Sequence, residues 1–255
     1  TDVLFQLAER ISGMAPNPLN KVYFTCGGSE ANESAIKLAK QYHKDAGNTE
    51  KHIVIGRWQS YHGNTLGSLS AGGDIKRRQL YTQNLLDFKH VYSPNCIRCP
   101  YQRKLDECNQ EQNWSCVKDI EKLIIEVGPE QISSFIAEPI VGSQLGSVSP
   151  PNEYFKKVRE LCDKYNIILI VDEVMTGFGR TGTHFAIEHF DFIPDIITFG
   201  KGVSAGYSPL GGMIVHDKVI AGLIQNSQGK FAHGYTYSGH PVSVSAGLAV
   251  LKKLE

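Results

Sequence analysis

The stretch IILIVDE, residues 167–173, places five apolar side chains in a row before two carboxylates. Because apolar and polar side chains do not alternate in it, it predicts a strand covered on both faces, as in a parallel sheet between two layers of helices. Asp172 and Glu173 stand where this strand ends. The stretch therefore predicts an α/β fold with acidic groups at one edge of its sheet.

Similar short apolar runs occur on both sides of this stretch and alternate with helical patterns. Apolar positions recur on one helical face of SEANESAIKLAKQYHK (29–44) and of NEYFKKVRELCDKYN (152–166). Such alternation is typical of βαβ units, so we predict a three-layer αβα architecture with a mainly parallel sheet. The predicted strands are KVYFT (21–25), HIVIG (52–56), SSFIAEP (133–139), IILIVDE (167–173), DIITFG (195–200) and GGMIV (211–215).

Composition favours a small molecule as the ligand. The chain has 255 residues, 41% of them hydrophobic, and its 26 basic residues balance its 26 acidic ones. Without a basic excess, neither nucleic acid nor a membrane is predicted as a partner. No apolar run reaches the roughly 18 residues of a membrane span, and the start of the chain has helical patterning instead of that of a signal peptide. We therefore predict a cytoplasmic protein.

Four of the six cysteines lie close together in the sequence. Cys96, Cys99, Cys108 and Cys116 belong to a polar, proline-bearing segment at about residues 93–118, which we predict to be an insertion loop. Its CxxC start is half of a zinc motif, but the two later cysteines lack the close spacing of the other half. We predict reduced thiols and no metal site, with a zinc-held loop as the alternative.

Two further strands are followed by residues suited to ligand binding, which in open α/β sheets occurs at the carboxyl ends of strands. After KVYFT, Gly28 permits close backbone approach, and Ser29 is a suitable N-cap for a helix whose free amides can bind phosphate. After DIITFG stands Lys201, a cation that becomes an amine nucleophile once deprotonated. Taken singly, a serine-capped turn and a surface lysine are the plain alternatives.

Together with Asp172, these residues fit one cofactor. Pyridoxal phosphate (PLP) needs a lysine for its aldehyde, a carboxylate for its pyridine nitrogen and an anion site for its phosphate. Tyr61 and His62, just after HIVIG, offer rings that can lie against a flat cofactor. A magnesium site of the nucleotide-binding kind is the alternative for Asp172, but the pattern GxxxxGK[ST] does not occur in the sequence.

Six motifs, in this order along the chain, resemble those of the class III aminotransferases, which are PLP enzymes of fold type I. They are GGSEANESAIKLAK, YHGNTLGSLSAGG, AEPIVG, VDEVMTGFGRTG, TFGKGVSAGYSPLGG and GYTYSGHPVSVSAGLA. Members of this family are longer at both ends. The resemblance therefore implies that residues 1–255 form most of the PLP-binding large domain, truncated at both ends.

The resemblance also implies roles in catalysis and around the cofactor ring. Lys201 would form a Schiff base with PLP and transfer the proton of the substrate carbon. Asp172 would hold the pyridine nitrogen. Val174 and Tyr61 would press on the two faces of the ring, and His62 would flank it.

Further implied roles concern the phosphate and the assembly. Gly28 and Ser29 would bind the phosphate together with Thr236, which in this family reaches across from the partner subunit. The site therefore implies a homodimer. Glu138 would orient the surroundings of the cofactor.

Two positions bear on the substrates, which the resemblance implies are an amine and a 2-keto acid. Met175 stands where many members have a Gln that contacts the ring hydroxyl, and Ser143 stands where enzymes for ornithine or 4-aminobutyrate have a second Glu. This pattern favours an ω-amine or β-amino acid as donor. A racemase or aminomutase of the same family and a non-catalytic fragment or binding module are the alternatives.

Overall fold

The computed structural model describes residues 2–111, 113–227 and 229–254. Its strands form one mixed seven-stranded sheet with the order β1-β7-β6-β5-β4-β2-β3. The strands are β1 Leu19–Thr25, β2 Ile53–Arg57, β3 Lys89–Val91, β4 Ile132–Ala137, β5 Ile168–Asp172, β6 Ile196–Phe199 and β7 Gly211–His216.

Of the strands described, β7 alone runs against the others. It pairs antiparallel with β1 and with β6, whereas β6, β5, β4, β2 and β3 pair parallel with one another along the sheet. Because the two reversals cancel, β1 points the same way as β6. The carboxyl ends of β1, β2, β4, β5 and β6 therefore lie at one edge of the sheet, where ligands of such folds bind.

The predicted architecture and all six predicted strands are confirmed, with bounds that differ by one or two residues. The prediction missed β3, which consists of only three residues. So short a segment is too brief to show a period in the sequence.

Helices cover both faces of the sheet, which gives the three layers. Alternate side chains of β5 enter different hydrophobic clusters: Leu169 packs in the cluster that contains Phe155, and Ile170 in the cluster that contains Leu38. The first cluster includes buried residues of α1, α6, α7 and α9, and the second those of α2 and α8. The helices are α1 Asp2–Met14, α2 Gly28–Asp45, α3 Leu66–Ala71, α4 Ile75–Gln79, α5 Leu105–Gln110, α6 Ser115–Val127, α7 Tyr154–Lys164, α8 Asp217–Ser227 and α9 Pro241–Leu254.

The segment at 93–118 is only partly a loop. It contains α5 and the first residues of α6, and Trp114 between them is only 3% exposed. Within its six residues α5 has no buried side chain, so its sequence carries no apolar period that could have predicted a helix. That the segment is an insertion stays a prediction.

Among the helices described, none combines the length and the apolar character that crossing a membrane requires.

Candidate active site

A cleft lies at the carboxyl edge of the sheet, between the start of α2 and the ends of four strands. Every predicted site residue except Thr236 lines it. The lining residues are Gly28, Ser29, Asn32, Tyr61, His62, Gly63, Glu138, Asp172, Val174, Met175 and Lys201. The sequence predictions thus converge on one place in the fold, although these residues are far apart in the chain.

The carboxylate of Asp172 lies at the end of β5 and is only 3% exposed. Its Oδ2 accepts hydrogen bonds from His62 Nδ1 at 2.8 Å and from Asn32 Nδ2 at 2.7 Å. Its Oδ1 accepts one from the backbone N of Val174 at 3.0 Å. A buried carboxylate is costly unless donors meet it, and three donors meet this one.

Asn32 is one of two residues lining the cleft, with Gly63, that the sequence reasoning missed. It is 1% exposed, and its Nδ2 also donates to the backbone oxygen of His62 at 2.7 Å. Its Oδ1 accepts from the hydroxyl of Thr198 at 2.6 Å. The available signal was an amide, a poor helix former, beside the apolar face of α2 that begins with Ala31.

The start of α2 differs in detail from the prediction. The helix begins at Gly28, so its N-cap is Gly27 and not Ser29. Gly27 adopts an extended conformation and accepts the first helical hydrogen bond, from the N of Ala31 at 3.0 Å. The hydroxyl of Ser29 instead accepts from the backbone N of Asn64 at 3.2 Å.

This end of α2 nevertheless retains the features of an anion site. The first-turn amides of a helix have no partner inside the helix, and its dipole favours an anion there. A Cβ placed on Gly28 would lie 2.7 Å from Cγ1 of Val174, so glycine is needed for the loop after β5 to approach the helix. Gly28 and Ser29 both line the cleft at this point.

Lys201 follows β6 and begins a short 3₁₀ helix that ends at Ser204. Its φ angle is +40°, in the left-handed region that residues with a side chain seldom adopt. Such conformations cost of the order of 1–3 kcal/mol and cluster at functional sites. Lys201 is exposed, and it lines the same cleft as Asp172.

Glu138 connects two loops beside the cleft. It is 4% exposed, and its Oε1 and Oε2 accept hydrogen bonds from the backbone N of Tyr61 at 3.1 Å and of Gly142 at 3.2 Å. Burial raises the pKa of its carboxyl group. The guanidinium group of Arg77 lies 5.0 Å from the centre of the Tyr61 ring. Glu138 thus holds the backbone of Tyr61, and Arg77 contacts its ring.

The residues of the cleft fit PLP. Lys201 offers an amine, Asp172 a buried carboxylate, and the start of α2 an anion site, all lining one cleft. Within the described part of the chain, Nε2 of His62 is buried without a hydrogen-bond partner. A buried polar atom of this kind calls for a partner that protein atoms do not supply.

Of three further residues discussed from the sequence, Met175 lines this cleft, whereas Ser143 and Thr236 are not among its described lining residues. Met175 lines it and is 39% exposed. Ser143 is exposed and lies outside the set of described residues that line the cleft. Thr236 is likewise exposed, in the connection between α8 and α9, and is not one of the described lining residues.

The four clustered cysteines line a second, apolar pocket, together with Trp114 and other residues. Burial raises the pKa of the Cys96 thiol, and it raises that of Cys116 to about 12. Within the described ranges, no three His, Cys, Asp or Glu side chains are grouped so that they could hold a metal ion. The zinc-held loop therefore gains no support from the arrangement of these thiols.

Comparison with known proteins identifies the family of the chain. A family model described as "Aminotransferase class-III" matches residues 1–255. The putrescine–pyruvate aminotransferase of Pseudomonas aeruginosa is 39% identical over 249 residues, which are 98% of this chain and 53% of that protein. The chain thus spans about half the length of the curated relatives it matches.

Solved structures give the same result for the fold. An (S)-enantioselective ω-transaminase from Thermomicrobium roseum is 38% identical with a TM-score of 0.91, and the match covers 100% of this chain and 55% of that one. The ω-transaminase of Pseudomonas jessenii in complex with PMP is 35% identical, also with a TM-score of 0.91, over 99% of this chain and 55% of that one.

Proposed function

The chain belongs to the class III aminotransferases, and we propose that it is the cofactor-binding part of a PLP enzyme that moves an amino group from an amine or amino acid to a 2-keto acid. The observation that carries this proposal is the meeting of Lys201, Asp172 and the start of α2 in one cleft. They are the three groups that this cofactor requires.

When bound, PLP supplies a ring that withdraws electrons from the substrate carbon next to the nitrogen. Lys201 would hold the cofactor through its Nζ, and the same amine would serve as general acid and base for the proton of that carbon. Asp172 would offer the ring nitrogen a carboxylate that His62 and Asn32 hold in place.

The remaining residues of the cleft bind and orient. Gly28 and Ser29 would hold the phosphate at the start of α2, where backbone amides and the helix dipole favour an anion. Val174 and Tyr61 line the space that the ring would occupy. Glu138 keeps Tyr61 in position by accepting a hydrogen bond from its backbone.

The active form in this proposal is a homodimer. Thr236 lies on an exposed connection away from the cleft, so its hydroxyl can contact a second copy of the chain. There it would complete the phosphate site of the partner.

The proposed donor is an ω-amine or a β-amino acid, and the proposed acceptor is a 2-keto acid such as pyruvate. Met175 at the cleft and Ser143 after β4 are the positions that favour this class. The names of the putrescine–pyruvate aminotransferase and of the ω-transaminases among the similar proteins agree with it.

Borohydride reduction of the full-length protein with PLP, followed by peptide mass mapping, tests the attachment site. We expect a phosphopyridoxyl group on Lys201 and none in the variant Lys201→Ala. Active protein modified at a different lysine would refute the proposed role of Lys201.

A second experiment separates transfer from racemase or aminomutase chemistry. The amine donor is incubated with full-length protein in the presence and in the absence of a keto acid. A transferase consumes the donor over many turnovers only when the acceptor is present, whereas an isomerase needs no acceptor. Continued turnover without keto acid would therefore contradict amino transfer.

A further inference from the structure

We infer that Asn32, oriented by Thr198, is a positioning residue that holds the carboxylate of Asp172 in one orientation towards the cofactor. The inference rests on the proposed function, because it takes Asp172 as the partner of the cofactor ring. Asn32 and Thr198 lie within the motifs quoted from the sequence, but the sequence analysis gave neither of them a role.

The amide of Asn32 can face its neighbours in only one way. Its two N–H groups point at Oδ2 of Asp172 and at the backbone oxygen of His62, each at 2.7 Å. The backbone oxygen can only accept, and so can the carboxylate when it is ionised. A flipped amide would place its oxygen against both acceptors, which is unfavourable because Asn32 and Asp172 are buried.

Thr198 selects this orientation from the other side. Its hydroxyl lies 2.6 Å from Oδ1 of Asn32, and because an amide oxygen only accepts, the hydroxyl must donate. Thr198 is fully buried and is the register partner of Asp172 in the neighbouring strand. Paired residues of adjacent strands present their side chains on the same face of a sheet. The sheet register therefore places the hydroxyl close to the carboxylate that it controls through Asn32.

Removal of the hydroxyl has a defined consequence. Oδ1 of Asn32 would become a buried acceptor without a partner, which is unfavourable, and nothing would then oppose a shift of the whole side chain towards another donor. Asp172 would then lose one of the donors on its Oδ2, and only His62 Nδ1 would remain on that oxygen. The carboxylate could rotate, and its alignment with a bound ring nitrogen would be lost.

A purely structural role of Asn32 and Thr198 predicts a loss of stability alone. The same hydrogen bonds join α2, β5 and β6, so their loss could lower stability without affecting the chemistry of the cofactor. The test therefore needs a spectroscopic property of the cofactor and a property of the protein alone, in addition to stability.

The test uses Thr198→Val in the full-length protein, since valine keeps the shape of threonine and lacks its hydroxyl. Thr198→Ser keeps the hydroxyl and serves as the conservative rescue. The matched control is Ser134→Ala, because the hydroxyl of Ser134 is buried in β4 and has no partner among the described residues.

Two spectroscopic measurements are made on each protein. The first is the pH midpoint of the visible absorption band of the PLP-loaded protein. The second is the ¹H–¹⁵N signal of Nδ1–H of His62 in cofactor-free protein labelled with [¹⁵N]histidine, assigned by its absence from His62→Gln. The turnover number kcat and the KM for the amine are measured in parallel.

We expect Thr198→Val to move the absorption midpoint by about one pH unit and to shift or broaden the His62 signal. We expect kcat to fall about tenfold with little change in KM, which is the lower end of the losses seen when an outer hydrogen-bond partner of a functional ligand is removed. Thr198→Ser and Ser134→Ala should keep the wild-type spectra. If Thr198→Val does not fold, Thr198→Cys, a weaker donor, replaces it.

A Thr198→Val protein with a lower melting temperature but unchanged spectra would overturn the inference and leave these residues a structural role. Failure of the proposed function is seen separately, as absence of the borohydride label from wild-type Lys201. In that case the His62 signal of the cofactor-free protein still decides whether Thr198 orients Asn32 and Asp172.

Discussion

The carboxylate of Glu173 accepts a hydrogen bond from the backbone N of Ile187 at 2.8 Å, and this contact closes the loop that follows β5. The hydroxyl of Thr176, inside the loop, donates to the other oxygen of Glu173. The side chain of Glu173 is completely buried, in contrast to Lys201, which borders the same region and is exposed. The neighbouring carboxylates therefore have different roles, since Asp172 lines the cleft and Glu173 holds the loop after β5.

The burial of Glu173 predicts a pH-dependent stability. Burial raises the pKa of this carboxyl group to about 7, whereas in an unfolded chain a glutamate has a pKa of about 4.3. At a pH between these two pKa values, Glu173 binds a proton in the folded protein but not in the unfolded chain. The contribution of this proton to the free energy of unfolding is therefore lost as the pH rises to 7 and above. The size of this effect is on the order of 3 kcal/mol.

Glu173→Gln should remove that contribution, because glutamine can donate to Thr176 and accept from Ile187 at every pH. Urea unfolding at pH 5, 6, 7 and 8 is the measurement, and the variant should gain stability relative to wild type as pH rises. Glu160→Gln, at an exposed position of α7, is the control. Equal slopes for wild type and Glu173→Gln would show that Glu173 is ionised throughout this range.

The contact between Gly28 and Val174 predicts a difference between two adjacent glycines. A Cβ on Gly28 would lie 2.7 Å from Cγ1 of Val174, whereas a Cβ on Gly27 meets no described atom within 4 Å. Gly28→Ala should therefore lower the free energy of unfolding by about 1–3 kcal/mol, although alanine favours a helix. Gly27→Ala should lower it by less, about 0.5–1 kcal/mol, because alanine is a poorer N-cap than glycine but meets no neighbour here. Similar losses for both variants would mean that the loop after β5 moves aside at little cost.

The proposed sharing of the site between two subunits predicts complementation. Lys201→Ala and Thr236→Asp should each be inactive as homodimers of the full-length protein. In a mixed dimer, one of the two sites would combine the intact Lys201 of one subunit with the intact Thr236 of the other. Co-expression with two different tags, followed by tandem purification, should recover about half of the wild-type activity per dimer, because one of two sites is intact. No recovery would place Thr236 outside the shared site.

The thiol cluster predicts slow alkylation of one cysteine. Burial raises the pKa of Cys116 to about 12, and only the thiolate reacts with iodoacetamide. At pH 8 native Cys116 should therefore be labelled at least about tenfold more slowly than a cysteine in an unstructured peptide, whose pKa is about 8.5. Peptide mass mapping after timed labelling measures this rate, with guanidinium-unfolded protein as the control. Rapid labelling of native Cys116 would contradict its burial as a neutral thiol.

The sequence was sufficient for the parts of the fold and site that depend on local patterns. Buried strands such as β5 carry long apolar runs, and a parallel sheet brings the residues that follow its strands to one edge. The same reasoning did not find α5, which buries none of its side chains, and it misplaced the N-cap of α2 by two residues. Gly27 and Ser29 are both acceptable caps, and only the backbone conformation decides between them.

The network behind Asp172 could not be read from the sequence for a different reason. The hydrogen bond from Thr198 to Asn32 joins residues that are 166 positions apart. It forms because α2 packs over β6, and no local period encodes that packing.

The cleft draws its residues from the start of α2 and from the ends of β2, β4, β5 and β6, so it exists only when these four adjacent strands and α2 are assembled. During synthesis Lys201 is the last of its predicted residues within one chain to emerge. A ligand that bridges Gly28 and Lys201 can therefore bind only after most of the sheet has been made, and by mass action it then stabilises the assembled chain over any partly folded form. Retention of the proposed cofactor would thus report that these strands have assembled.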